Sequence, residues 1–138
     1  MSRIETIKPG DALPGREFIC DNVQLFLYNA SLWNAHRIHF DYPYATEVEG
    51  YPGLVVAGPL MGDWLTQCLL EWMADDGTLL TFEYSNRKAA YTGDVLSFSG
   101  EVLSVDPETG QVTLDLLISD AEQDVVTPGR AVVRFPVT

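Results

Sequence analysis

At 138 residues, with 46% hydrophobic and 20% charged positions, the sequence has the length and make-up of one soluble globular domain able to bury its own core. Twenty acidic residues against eight basic ones leave a formal net charge of −12, which speaks against nucleic acid, whose phosphates are bound through Lys and Arg. No apolar run approaches the roughly 18 residues of a membrane span, and Met1-Ser2-Arg3-Ile4-Glu5 lacks the apolar stretch of a secretory leader, so neither is expected. Cys20 and Cys68 are too far apart for a zinc or disulfide framework, and a cytoplasmic location is the default expectation. The acidic balance also disfavours broad docking of an acidic carrier protein. An anionic small molecule would need a local basic patch, for which Arg87-Lys88 is the best candidate; a simply solvated loop is the competing reading.

In chain order, Pro9-Gly10 and Pro14-Gly15 mark turns in an N-terminal arm, followed by a short strand near Glu17–Cys20. Asp21 with Gln24 three residues on has the spacing of a helix N-cap, and Val23, Phe26, Leu27 and Ala30 fall on one apolar face of a short helix. From Leu32 to Gly58 periodicity is lost in a stretch rich in aromatics, Pro and Gly, and so long an irregular segment is often functional. A strong helix follows: Leu60, Met61, Trp64, Leu65, Cys68, Leu69, Trp72 and Met73 form a wide apolar stripe opposite Asp63, Gln67 and Glu71, with Gly77 marking its end. The last sixty residues alternate as strands around Leu80–Tyr84, Val95–Val105, Val112–Ile118 and Ala131–Val137. Turns are expected at Thr92-Gly93-Asp94, Asp106–Gly110 and Thr127-Pro128-Gly129. One long helix followed by an antiparallel meander is an α+β pattern in which the helix covers a sheet face.

The irregular stretch holds both histidines, in Asn34-Ala35-His36-Arg37-Ile38-His39-Phe40-Asp41. Imidazole titrates near neutrality and can take and return a proton in one turnover. His-x-x-His supplies only two metal ligands and no HExxH helix surrounds it, so no metal is expected. Two plainer roles remain open: packing of the histidines against Trp33 and Phe40, and pairing of Arg37 with Asp41 or Glu49. Downstream, Gly58-Pro59 stands where the long helix begins. Helix-terminal N–H groups are ready donors to a developing oxyanion, and a glycine lets a carbonyl approach closely.

The stretch from about Tyr28 to Leu65 resembles the MaoC-like (R)-specific enoyl-CoA hydratase family, in particular the branch around mesaconyl-CoA and itaconyl-CoA hydratases and type 2 hydroxyacyl-thioester dehydratases. The family signature Asp-x-Asn-Pro-x-His-x-Asp aligns with Asn34 to Asp41. His39 falls on the catalytic histidine, Asp41 on the following acid, and Asn34 on the catalytic aspartate, a departure. The Gly-Tyr-Pro-Gly-Leu-Val-Val-x-Gly-Pro-Leu run of that branch is present from Gly50 to Leu60, with Ala57 where many relatives carry His.

The resemblance implies a single hotdog domain over residues 1–138, an antiparallel sheet wrapped around one long central helix. It implies reversible hydration of an enoyl-CoA, with no cofactor beyond the thioester substrate. His39 would be general base and acid, Asn34 would orient the water, and His36 or Asp41 would supply or tune the ionisable partner. The Gly58 N–H would polarise the thioester carbonyl. Arg37, Trp33, Tyr51, Val56, Ala57, Pro59, Arg87 and Lys88 would contact substrate. Family members pair, so a homodimer or a heteromer with a second hotdog subunit is expected. Two other functions stay open: a non-catalytic or partner-dependent acyl-CoA-binding subunit, and a hotdog thioesterase using Asp63, Glu49 or Glu71.

Overall fold

The computed structural model describes residues 1–138. In chain order it contains helix α1 (Arg3–Thr6), strand β1 (Arg16–Ile19), helices α2 (Asn22–Ser31) and α3 (Gly58–Met73), and strands β2 (Thr78–Tyr84), β3 (Val95–Asp106), β4 (Gln111–Ser119) and β5 (Val125–Arg134). A single 3-10 turn at Arg37–His39 and a π-helical turn at Tyr44–Val48 lie between α2 and α3. The five strands form one antiparallel sheet in the order β1-β3-β4-β5-β2, curled around α3 as a hotdog fold.

The pattern of α3 explains its place. Leu60, Met61, Trp64, Leu65, Cys68, Leu69 and Met73 are buried, while Asp63, Gln67 and Glu71 face outward, as the stripe predicts. The helix packs on Val112, Leu114, Leu116 and Ile118, which alternate along β4, and on Leu96, Phe98, Ala131 and Val133 of the neighbouring strands. Phe18 of β1 stacks on Trp64 with centroids 4.6 Å apart. Tyr84 lies so close over Gly62 that any side chain there would enter its ring, a contact that draws the end of β2 onto the helix. The N-terminal arm is partly ordered as α1, from which Arg3 donates to the Trp72 and Met73 carbonyls and so caps the negative end of α3.

Four local expectations need correction. Helix α2 starts where expected, with Asp21 Oδ1 accepting from Gln24 N–H at 2.7 Å, but it buries Leu25 and Asn29. Val23, Phe26, Leu27 and Ala30 face outward instead. The inward polar residue Asn29 donates to Leu25 O at 2.8 Å, a bond that a hydrophobicity pattern cannot register. Helix α3 ends at Ala74, which takes a φ of 52°, rather than at Gly77, which packs against Phe135 and Met73.

Thr127-Pro128-Gly129 lies inside β5, and the β4–β5 reversal is Asp120–Asp124. The proline is tolerated because it sits just past the end of β2, where the ladder keeps the bond from Ser85 N–H to its carbonyl and forgoes only the return bond that a proline nitrogen cannot donate. Finally, β2 and β3 are not a hairpin. They lie on opposite sides of the sheet, so residues 85–94 cross between them. On the way they are tied to the segment before α3, with Val56 N–H donating to Ala90 O at 2.8 Å and Thr92 N–H to Leu54 O at 3.0 Å. That crossing brings the polar stretch after β2 to the N-terminus of α3.

Candidate active site

His39 is buried, 8% exposed, by the 3-10 turn that carries it. Its Nδ1 lies 2.6 Å from Val55 O. A carbonyl only accepts, so Nδ1 bears the proton and Nε2 is the basic atom of the neutral ring. Burial lowers the His39 pKa below its ordinary value, and the nearby His36, with ring centroids 5.8 Å apart, lowers it further, while the Val55 bond pulls the other way. The ring is therefore neutral and basic at neutral pH.

Val55 precedes α3 by three residues, so the segment that orients the imidazole also delivers the helix terminus. At that terminus Leu60 N–H and Met61 N–H both turn to Ala57 O, and Pro59 has no N–H. Gly58 N–H is left as the unpaired donor of the first turn. His39, Val56, Gly58, Pro59, Arg87 and Lys88 line one open cleft of about 440 Å³, together with Asn86.

The other expected residues lie elsewhere. Trp33 and Asn34 line a separate apolar pocket of about 240 Å³ with Phe26, Asn29 and Phe40. Trp33 is 94% exposed and takes a φ of 56°, unusual for a bulky side chain. Asn34 Oδ1 accepts from His36 N–H at 3.1 Å, which fixes the loop leading to His39. Arg37 is paired with Asp41 at 2.8 Å and lies 4.1 Å over the Tyr44 ring, the internal salt bridge that its spacing allowed.

Asp41 also accepts from Tyr44 N–H, and the Arg37 bond leads the factors that hold its pKa below the usual carboxylate value. Its hydrogen bonds thus serve the loop, and none runs to His39. Tyr51 lies near Tyr91, 6.2 Å between centroids, and Ala57 is buried with its carbonyl accepting the helix bonds.

The electrostatics of the cleft are uneven. Lys88 Nζ lies 2.6 Å from Asp120, 2.9 Å from Asp124 and 4.0 Å from Glu122, and the hydrogen bonds to Asp120 and Asp124 raise its pKa well above the ordinary value. Its charge is locally neutralised. Arg87 has no carboxylate partner and donates only to Ser85 Oγ, at 3.1 Å. The three carboxylates considered for thioester hydrolysis are bonded outside the cleft: Glu49 to Tyr44 Oη, Asp63 to Tyr28 Oη and Glu71 to Arg16. Asn86 is the cleft residue that sequence reading missed. A lone amide beside a charged pair carries no signal until the chain crossing sets it against Gly58.

The family model of hydroxyacyl-thioester dehydratase type 2 matches residues 4–92. The chain belongs to this family. A curated relative, mesaconyl-C(4)-CoA hydratase of Chloroflexus aurantiacus, is 56% identical over 46 residues, 33% of this chain but 16% of that protein. The matched stretch is thus a small part of the longer relative. Among solved structures, the (R)-hydratase PhaJ1 of Pseudomonas aeruginosa superposes with a TM-score of 0.87 at 18% identity, covering 98% of this chain and 86% of that one. The ChsH1–ChsH2 complex of Mycobacterium tuberculosis gives 0.82 at 15% identity, covering 94% of this chain and 98% of that one. At such identities the likeness shows the hotdog fold of this dehydratase family member.

Proposed function

We propose that this chain catalyses the reversible hydration of an enoyl-CoA to a 3-hydroxyacyl-CoA. The observation that carries the reading is one cleft lined both by a histidine with its proton fixed on Nδ1 and by Gly58, whose N–H is unpaired at a helix N-terminus. In the hydration direction His39 Nε2 takes a proton from water as the water oxygen bonds to Cβ. The C=C pair moves to the Cα–carbonyl bond, the carbonyl pair moves onto oxygen, and Gly58 N–H with the α3 dipole bears that charge. His39 then returns the proton to Cα and is neutral again. Asn34 carries no carboxylate and cannot take a proton; it lines the separate apolar pocket, with Oδ1 accepting from His36 N–H, and holds the loop that carries His39.

Arg87 is the cation available to the anionic end of CoA. The test is mass spectrometry of the purified chain with crotonyl-, mesaconyl- and a longer enoyl-CoA. A product heavier by one water supports the reading, and near-wild-type turnover by His39→Ala refutes it.

A second reading is favoured by Asn34 itself: without the carboxylate at that position the chain works as the partner-dependent half of a heteromer with a second hotdog subunit. Under it the isolated chain binds enoyl-CoA without turnover and gains activity when a partner carrying the aspartate is added. A homodimer is the assembly expected if the isolated chain is active.

A further inference from the structure

Beyond β2 the chain continues alongside β5, with Ser85 N–H donating to Pro128 O at 3.1 Å and Arg87 N–H to Val126 O at 2.8 Å. Alternation along an extended segment puts the side chain of Asn86, between them, on the opposite face to those of Ser85 and Arg87, which is the face of α3. There its Oδ1 accepts from the hydroxyl of Thr127 at 2.9 Å, and Thr127 is fully buried. The amide is thereby oriented, and its Nδ2 carries two protons that no group in the chain accepts. Nδ2 lies directly over Gly58: a methyl carbon added there would come within 2.2 Å of it. The unpaired Gly58 N–H and the unpaired Asn86 Nδ2 therefore sit together, in the cleft that holds His39.

A carbonyl oxygen has two lone pairs and, as charge grows on it, gains from two donors. We propose that Asn86 Nδ2 and Gly58 N–H together bind the thioester carbonyl oxygen, with Thr127 as the residue that positions Asn86. The assignment rests on the hydratase reading above. When the water oxygen bonds to Cβ and the electron pair reaches the carbonyl oxygen, both donors hold it. When His39 returns the proton to Cα, the pair re-forms the carbonyl bond and the load on both falls. A neutral amide suits this role because it stabilises the transient charge without keeping a permanent ion pair with the product.

The experiment measures crotonyl-CoA hydration and, separately, the carbonyl stretch of bound crotonyl-CoA carrying carbon-13 at the thioester carbon. Wild type, Asn86→Ala, Asn86→Asp and Thr127→Val are compared. Asn86→Ala is expected to lose about 10²–10³ in kcat, the usual cost of one oxyanion donor, with KM little changed. The carbonyl stretch should lie closer to its position in free crotonyl-CoA than it does on the wild-type protein. Asn86→Asp is nearly isosteric, and a carboxylate is favoured at a helix N-terminus, so it folds. It should be at least as impaired, because it replaces a donor with a charge that repels the oxyanion. Thr127→Val should show a smaller loss and a partial shift of the stretch.

Wild-type kcat together with a wild-type stretch in Asn86→Ala or Asn86→Asp overturns the proposal and leaves the hydratase reading standing. A wild-type protein that polarises the bound carbonyl but forms no hydrated product overturns the reading, while the stretch still decides on Asn86. A wild-type protein that neither binds nor hydrates crotonyl-CoA overturns both.

Discussion

Replacing Gly58 by Ala separates catalysis from folding. The added carbon would stand 2.2 Å from Asn86 Nδ2 and 2.9 Å from Asn86 Cγ, where ordinary contacts begin near 3.4 Å. The amide must retreat by more than an ångström, which breaks its bond from Thr127. Such a neutral hydrogen bond is worth about 0.5–1.5 kcal/mol net. Against that loss, alanine favours helix over glycine by up to ~1 kcal/mol. The two nearly cancel, so the melting temperature should move by no more than a few degrees.

Activity has no such compensation. On the proposed mechanism, the methyl group would push Asn86 Nδ2 out of the place where it shares the carbonyl oxygen with Gly58 N–H. A loss of about 10²–10³ in kcat is expected, followed as the fall in enoyl-thioester ultraviolet absorbance on hydration of crotonyl-CoA. A folded Gly58→Ala protein with wild-type kcat would refute the oxyanion role of this helix terminus. A large drop in melting temperature would instead show that the glycine serves packing.

The pH dependence follows from His39. Its pKa is lowered on folding from 6.5, so below that value the unfolded chain binds more protons. Its contribution to stability is fully present above pH 6.5 and is lost as pH falls toward the native pKa. The acid limb of kcat/KM should therefore lie below 6.5, and His36→Asn should move it upward by removing the nearby charge; a limb at or above 6.5 in the wild type contradicts the burial argument. Arg87→Met should raise KM for the CoA thioester, and more so at low salt, whereas Lys88→Met should change KM little because three carboxylates already engage that lysine. Equal effects of the two would show that the Lys88 cluster opens to ligand. Leu65→Ala, at a fully buried position of α3, should lower unfolding free energy by about 2–5 kcal/mol in urea titration; a change under about 1 kcal/mol would mean that the core around α3 re-closes.

The parts of this molecule that sequence reveals are those written in repeating apolar positions. Helix α3 shows its stripe from Leu60 to Met73, and β4 alternates from Val112 to Ile118, so each declares both its type and its buried face. The reading fails where a polar bond or a close approach outweighs the pattern. In α2 the amide of Asn29, bonded to Leu25 O, goes inward, and the greasier face of Val23, Phe26 and Leu27 is left outside. In β5, Pro128 looks like a turn until the structure places it just past the end of β2, where a single bond, from Ser85 N–H to its carbonyl, keeps the strand paired.

The site divides the same way. His39 and Gly58 are legible because each has a chemistry of its own, a titratable ring and a bare helix terminus. Their joint geometry is not, since it depends on Val55 O reaching back to the imidazole. Asn86 lies further still from anything readable. Its meaning comes from strand order, because only a β2 placed beside β5 and away from β3 sends residues 85–94 across the end of α3. The same crossing gives the two adjacent cations different surroundings. Lys88 meets the Asp120–Asp124 reversal that follows β4, while Arg87 stays beside the cleft without a carboxylate. In a chain carrying a net charge of −12, an arginine without a carboxylate partner beside this cleft is what the proposed reading needs to admit an anionic thioester at this helix end.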